Sequence, residues 1–229
     1  MYRIRAFRAI DDPESCKKFA DGHLNVLLEY GITKVTTANL SWFHNPDVYV
    51  ILIESEDGSV AYGGERIHLA NRHARLPVED AVSIVDERIY DLTKKYKDAG
   101  ITGELCGLWN SRSIAGRGFS TLLTKLGVAM AKRLEVSSLF VLCAPYTVAM
   151  CQAAGFEIEK SVGNEGTFNY PKLDLVATIL LIKNMDNLHT ADPDYLSKII
   201  EFAANPVQEN SETGPKGVFN FHLNLTIGA

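Results

Sequence analysis

The stretch Glu104–Leu123, E-L-C-G-L-W-N-S-R-S-I-A-G-R-G-F-S-T-L-L, constrains this chain more than any other. An apolar run gives way to a polar turn at Asn110–Ser113, then to Ala115-Gly116-Arg117-Gly118-Phe119-Ser120, and then to apolar residues at helical spacing. That order predicts a strand, a glycine turn, and a helix whose N-terminus lies at the turn. N–H groups in a helix's first turn lack intrahelical acceptors, and the aligned peptide dipoles add partial positive charge, so such a turn suits an anion. Gly116 and Gly118 permit close approach of backbone to ligand, and Arg117 adds a fixed charge with two-pronged donors. A tight turn without a ligand would use the same glycines.

Around this unit the chain reads as alternating strands and helices. Tyr2–Ala9 alternates as a strand, and Asp11 or Asp12 caps a helix that opens at Pro13 and closes at Gly31. Ile32–Asp47 is irregular; its Trp42-Phe43 pair is either a substrate wall or a satellite core cluster. Val48–Ser55 and Val60–Ala70, joined by Glu56-Asp57-Gly58-Ser59, predict an antiparallel pair. One helix is expected from Pro77, with Val78, Val82, Val85, Ile89, Leu92 and Tyr96 on one face and Gly100 beyond its end. The helix after the glycine turn runs to about Leu134, and Ser138–Cys143 follows as a strand parallel to its predecessor. Ala144–Ala154 predicts a helix, Phe156–Pro171 with Leu175–Lys183 a long hairpin, and Pro193 onward another helix. Gln208–Gly217 reads as a polar linker, and Val218–Ile227 alternates as a strand that must pair with something.

With its flanks R-x-x-A-G-R-G-F-S-x-L-L and, after the next strand, A-G-F-E-I at Ala154–Ile158, the central stretch resembles the acyl-CoA-binding core of the GNAT superfamily. The family pattern (Gln/Arg)-x-x-Gly-x-(Gly/Ala) falls on Ala115–Ser120, with Ala115 and Ser120 departing from it and Gly118 matching. The resemblance implies an α+β layered fold, a central mixed sheet flanked by helices, over residues 1–184, with a helical insertion at 71–101. Residues 185–229 would then be a C-terminal helix and strand extension and not an independent domain. It also implies transfer of an acyl group from acetyl-CoA or another acyl-CoA to an amine of a small molecule or peptide. The alternatives are a long-chain thioester synthase of a signal-like N-acyl amino compound and a non-catalytic CoA-binding module.

The same resemblance assigns roles by position. Leu108, Trp109 and Asn110 would line the pantetheine arm, and Ala115, Gly116, Arg117, Gly118, Phe119 and Ser120 would hold the pyrophosphate. Glu104, on the strand beside the cleft, is the expected base. Where relatives carry a Tyr that protonates the leaving thiolate, this chain has Cys151, and Tyr146 is the replacement donor. The long connection, Leu76-Pro77 and Glu104-Leu105 resemble the acyl-homoserine-lactone synthase branch, but the Arg expected three residues after that Glu is Gly107.

Composition narrows the partners. A net charge of −5 without a Lys/Arg cluster argues against nucleic acid. No apolar run, Val176–Ile182 included, is long enough to span a bilayer, and Met1–Ile10, with Arg3, Arg5 and Arg8, does not read as a secretory leader. Cys16, Cys106, Cys143 and Cys151 lie far apart in apolar segments, as expected of reduced thiols in a cytoplasmic protein. The histidines are scattered, His68 and His73 being the nearest pair, so no metal is expected. The C-terminal strand could cover its own sheet or a neighbour's, and a homodimer is the favoured expectation.

Overall fold

The computed structural model describes residues 1–29, 31, 40–70, 74–170 and 175–227. The expectations that fell on 32–39, His73 and 171–174 lie outside the described residues. The elements run β1 (Tyr2–Arg8), α1 (Pro13–Glu29), β2 (Val48–Ser55), β3 (Ala61–Leu69), α2 (Pro77–Val82), α3 (Ile89–Ala99), β4 (Thr102–Asn110) and α4 (Phe119–Arg133). They continue with β5 (Ser138–Cys143), α5 (Pro145–Ala153), β6 (Glu157–Ile158), β7 (Thr167–Asn169), β8 (Val176–Ile182), α6 (Pro193–Ala204), β9 (Val207–Gly214) and β10 (Gly217–Asn224). This is a mixed sheet flanked by helices. The chain divides into two compact units, one of residues 1–66, 107–127 and 201–229, the other of 67–106 and 128–200.

In the first unit the strands lie in the order β3-β2-β1-β10-β9. β1 pairs antiparallel with β2 from Tyr2↔Ser55 to Arg8↔Tyr49, and parallel with β10 from Tyr2↔Phe221 to Arg5↔Asn224. Phe7, Phe19, Trp42, Val50, Leu52 and Trp109 form one apolar core, each side chain contributing roughly 1.5–3 kcal/mol on burial. Glu54, wholly buried on β2, accepts from Arg5 and from Arg3 at 3.2 Å, and Arg5 also reaches Asp12 at 3.0 Å. A carboxylate can be buried there only because two guanidiniums neutralise it.

In the second unit β4 runs parallel to β5, and β8 runs antiparallel to β5 while pairing with the short β6 and β7. Its core includes Leu76, Val78, Ile89, Phe140, Ile179 and Leu181. Glu79 closes the start of α2, accepting the Leu76 N–H at 2.8 Å, the Thr93 hydroxyl at 2.8 Å and the Lys97 ammonium at 2.6 Å. No helix among the described residues is long and apolar enough to cross a membrane.

Three local expectations change. The helix from Pro77 is two helices, because Asp86 accepts the Arg88 N–H at 3.1 Å and the Gly163 N–H at 2.6 Å, which stops the helical ladder between them. The long hairpin after Phe156 is two short strands, β6 and β7, both on β8. Gln208–Gly217 is not a linker: most of it is β9, hydrogen-bonded to β10 in register from Val207↔Asn224 to Gly214↔Gly217. The C-terminal strand therefore returns as half of a hairpin on the β1 edge of its own sheet.

Candidate active site

The turn before α4 takes the form its sequence predicts. Gly116 and Gly118 have φ of 73° and 98°, a region open chiefly to glycine, and α4 begins at Phe119. Phe119 anchors the helix start by packing on Tyr2 and Phe219 at centroid distances of 4.8 and 4.1 Å. The Asn110 amide meets Ser120 Oγ at 2.5 Å; with its oxygen toward Ser120 it also accepts the Ser120 N–H at 3.2 Å, and its NH2 donates to the Trp109 carbonyl at 3.0 Å. The end of β4 is thus tied to the first turn of α4. The neighbouring Phe119 and Thr121 N–H groups lie where helix geometry supplies no intrahelical acceptor.

The tip of the β9–β10 hairpin lies on this turn. Lys216 Nζ donates to the Ala115 carbonyl at 2.6 Å, and a Cβ on Gly118 would sit 3.3 Å from Gly214 Cα. A Cβ on Gly214 would overlap the Arg117 carbonyl oxygen. The glycines of the turn are therefore fitted to the hairpin as well as open to a ligand, and nothing in their spacing announced that second partner.

The β4–β5 ladder pairs Thr102↔Ser138 through Leu105↔Val141 and stops there, although β4 continues to Asn110 and β5 to Cys143. Glu104 belongs to the paired part. It is buried, not solvated, and one of its oxygens accepts the Val78 N–H at 2.7 Å, at the first turn of α2. Cys151 is buried on α5 with its sulfur 3.3 Å from that of Cys143, and this contact lowers the Cys143 thiol below the ordinary cysteine value against the opposing effect of burial. Tyr146, at the start of α5, is 87% exposed. The structure does not bring Tyr146 and Cys151 to one place: one faces solvent, the other the sheet. Trp109 turns away from the glycine turn and into the core, against Phe19 at 5.9 Å and over Gly22, where a Cβ would overlap its ring. Leu108 is half-buried.

Sequence reasoning left Trp42-Phe43 as either a substrate wall or a core cluster and passed over Arg66, which belongs to the same feature of the first unit. A cavity of about 290 Å³ is bounded by α1, the 3-10 turn Leu40–His44 and β3, with Phe19, Trp42, Phe43, His23 and Arg66 among its walls. Arg66 is 4% exposed and lies 4.4 Å over the Trp42 ring. Its Nε would be 3.1 Å from a Cβ on Gly107, a residue with φ of 65°. Arg66, on the neighbouring strand, thus lies beside position 107, where the synthase branch would be expected to carry an Arg. The glycine at 107 was the signal that could have prompted a search for it.

The sequence matches no protein-family model and no curated protein. Solved structures, however, match along most of the chain. The N-acyl amino acid synthase FeeM from uncultured soil microbes superposes with a TM-score of 0.63, at 11% identity over 86% of this chain and 98% of that one. Its fold is that of the GNAT acyl-CoA N-acyltransferases. The CoA-dependent acyl-homoserine lactone synthase BjaI shares the GNAT fold at a TM-score of 0.56, 9% identity, and 87% and 90% coverage. An acyl-CoA N-acyltransferase from Pseudomonas aeruginosa does so at 0.56, 10%, and 79% and 99%. Within this GNAT fold, Ala115–Ser120 stands where the family pattern is expected, at the start of the helix that follows β4. Among the described residues no group of three His, Cys, Asp or Glu side chains is placed to hold a metal.

Proposed function

We propose that the protein is an N-acyltransferase that moves an acyl group from acyl-CoA to an amine. One observation carries the reading: a glycine turn with Arg117 at the N-terminus of the 15-residue helix α4, directly after a strand that β5 leaves beyond Leu105. The turn would take the pyrophosphate, and the unpaired side of β4 around Leu108–Asn110 would take the pantetheine arm. The amine nitrogen attacks the thioester carbonyl, the new C–N bond forms, and the C–S bond breaks. The departing thiolate gains a proton and the amine loses one.

In this reading Glu104 receives the amine proton, directly or through water, Tyr146 is the donor to the thiolate, and the buried Cys151 is a packing residue. Acetyl-CoA is one donor to test. A longer thioester is the second reading, supported by the printed activities of two neighbours, an N-acyl amino acid synthase and an acyl-homoserine lactone synthase. The free thiols at all four cysteines agree with a cytoplasmic setting. A homodimer built on the C-terminal region would have to form at β9, because both edges of β10 are paired. Calorimetry with acetyl-CoA and longer acyl-CoAs, followed by amine-dependent thiol release, tests the proposal. Failure of every acyl-CoA to bind at millimolar concentration removes it.

A further inference from the structure

The cavity between α1, the Leu40–His44 turn and β3 is walled by apolar and aromatic side chains, with one buried cation facing them. Arg66 stacks its guanidinium over Trp42 and lies 5.7 Å from the Phe19 centroid, and its Nε has no hydrogen-bond partner. Its neighbour Glu65 cannot serve, because successive strand residues face opposite sides of the sheet. Glu65 is fully buried and hydrogen-bonds the Gly127 backbone, and desolvation holds its carboxyl well above the usual range. The other charged residues at the cavity, Lys17 and Asp21, pair with each other at 2.6 Å. His23 is kept neutral, its pKa brought down to about 4 by burial and then by the Arg66 charge. Among the described residues no carboxylate forms an ion pair with Arg66.

A desolvated guanidinium without a counter-ion is costly, and stacking on an indole offsets only part of that cost. A guanidinium carries a planar fork of N–H donors that can match a carboxylate two-prong to two-prong. The cavity volume lies at the small end of ligand sites, which run from about 300 to 1,000 Å³, so it suits a molecule of amino-acid size and not a long acyl chain.

We propose that this cavity binds the carboxylate of an apolar α-amino acid on Arg66, with the side chain against Trp42, Phe43 and Leu24. The inference deepens the acyltransferase reading by naming the class of amine acceptor, and rests on it only in calling that molecule an acceptor.

The test is direct binding to the full chain without CoA, by calorimetry and indole fluorescence, using L-phenylalanine and L-leucine against their carboxamides. The free acids should bind at least tenfold more tightly than the amides, which keep the amine and side chain but lose the anion. Equal affinities, or no binding of either acid, overturn the proposal whatever the outcome with acyl-CoA. Arg66→Lys, which keeps the charge but loses the fork, should cut the preference for the acid by tenfold or more. A preference that survives in both Arg66→Lys and Arg66→Met, each checked by circular dichroism for a native fold, assigns the carboxylate to another group and overturns it. If the acids bind but no acyl-CoA does, the site stands and the acyltransferase reading falls.

Discussion

The indole of Trp109 occupies the space that a side chain on Gly22 would need: a Cβ there would overlap three atoms of its six-membered ring. Gly22 sits inside α1, where glycine is less favourable than alanine by about 1 kcal/mol. The close approach of β4 to α1 is what retains it. Gly22→Ala should therefore destabilise the protein, because overpacking costs about 1–3 kcal/mol and exceeds the gain in helix propensity. A lower urea midpoint at unchanged slope is the expected result, and a raised midpoint would show that the ring can move aside.

The hairpin tip over the glycine turn makes Lys216 part of the surroundings of the proposed anion site. Its ammonium already lies 2.6 Å from the Ala115 carbonyl, so a phosphate at the turn would gain a second cation beside Arg117. Lys216→Ala is expected to weaken CoA binding about three- to tenfold while leaving the melting temperature within a few degrees. Gly118→Val should abolish binding and also destabilise the fold, because it forces a β-branched residue to φ of 98° beside Gly214. Tight CoA binding by Gly118→Val would place the pyrophosphate elsewhere.

Glu104 and Cys151 separate by kinetics. Glu104→Gln should lower kcat by at least tenfold with CoA affinity little changed, as expected when a contact made only in the transition state is lost. The amide can still accept the Val78 N–H, so the start of α2 keeps its partner. Cys151→Ala should alter turnover less than tenfold. Loss of activity on the Cys151 change alone would exchange their roles.

His23 ties stability to pH. Burial and Arg66 bring its pKa from 6.5 to about 4, so the folded protein leaves it neutral while the unfolded chain protonates it below about 6.5. The unfolded state binds more protons across that window. The contribution of His23 is therefore complete above pH 6.5 and is lost as pH falls toward 4. Urea midpoints at about pH 7.5 and about pH 4.5 should differ more for the wild type than for His23→Gln. Equal differences would mean that His23 is not what titrates.

The local sequence of Glu104–Leu123 was enough to determine a strand, a glycine turn and a helix, because each rests on interactions within a few residues: an apolar run, paired glycines, and helical spacing. The same locality made the β2–β3 hairpin and the parallel β4–β5 pair legible. Tertiary structure decided the rest. Gln208–Gly217 is polar because β9 is an edge strand with no fully buried face, so its pairing leaves no apolar alternation to read. The helix from Pro77 breaks because Asp86 finds a partner in Gly163, 77 residues on. Glu104 is a buried carboxylate only because the start of α2 comes to meet it. Arg66 alone on a strand carries no message; it becomes a buried cation facing a cavity when Phe19, Trp42 and Gly107, far apart in the chain, close around it. Turns and helices are written in neighbouring residues, whereas the charge environment of a side chain is set by whatever the fold places beside it.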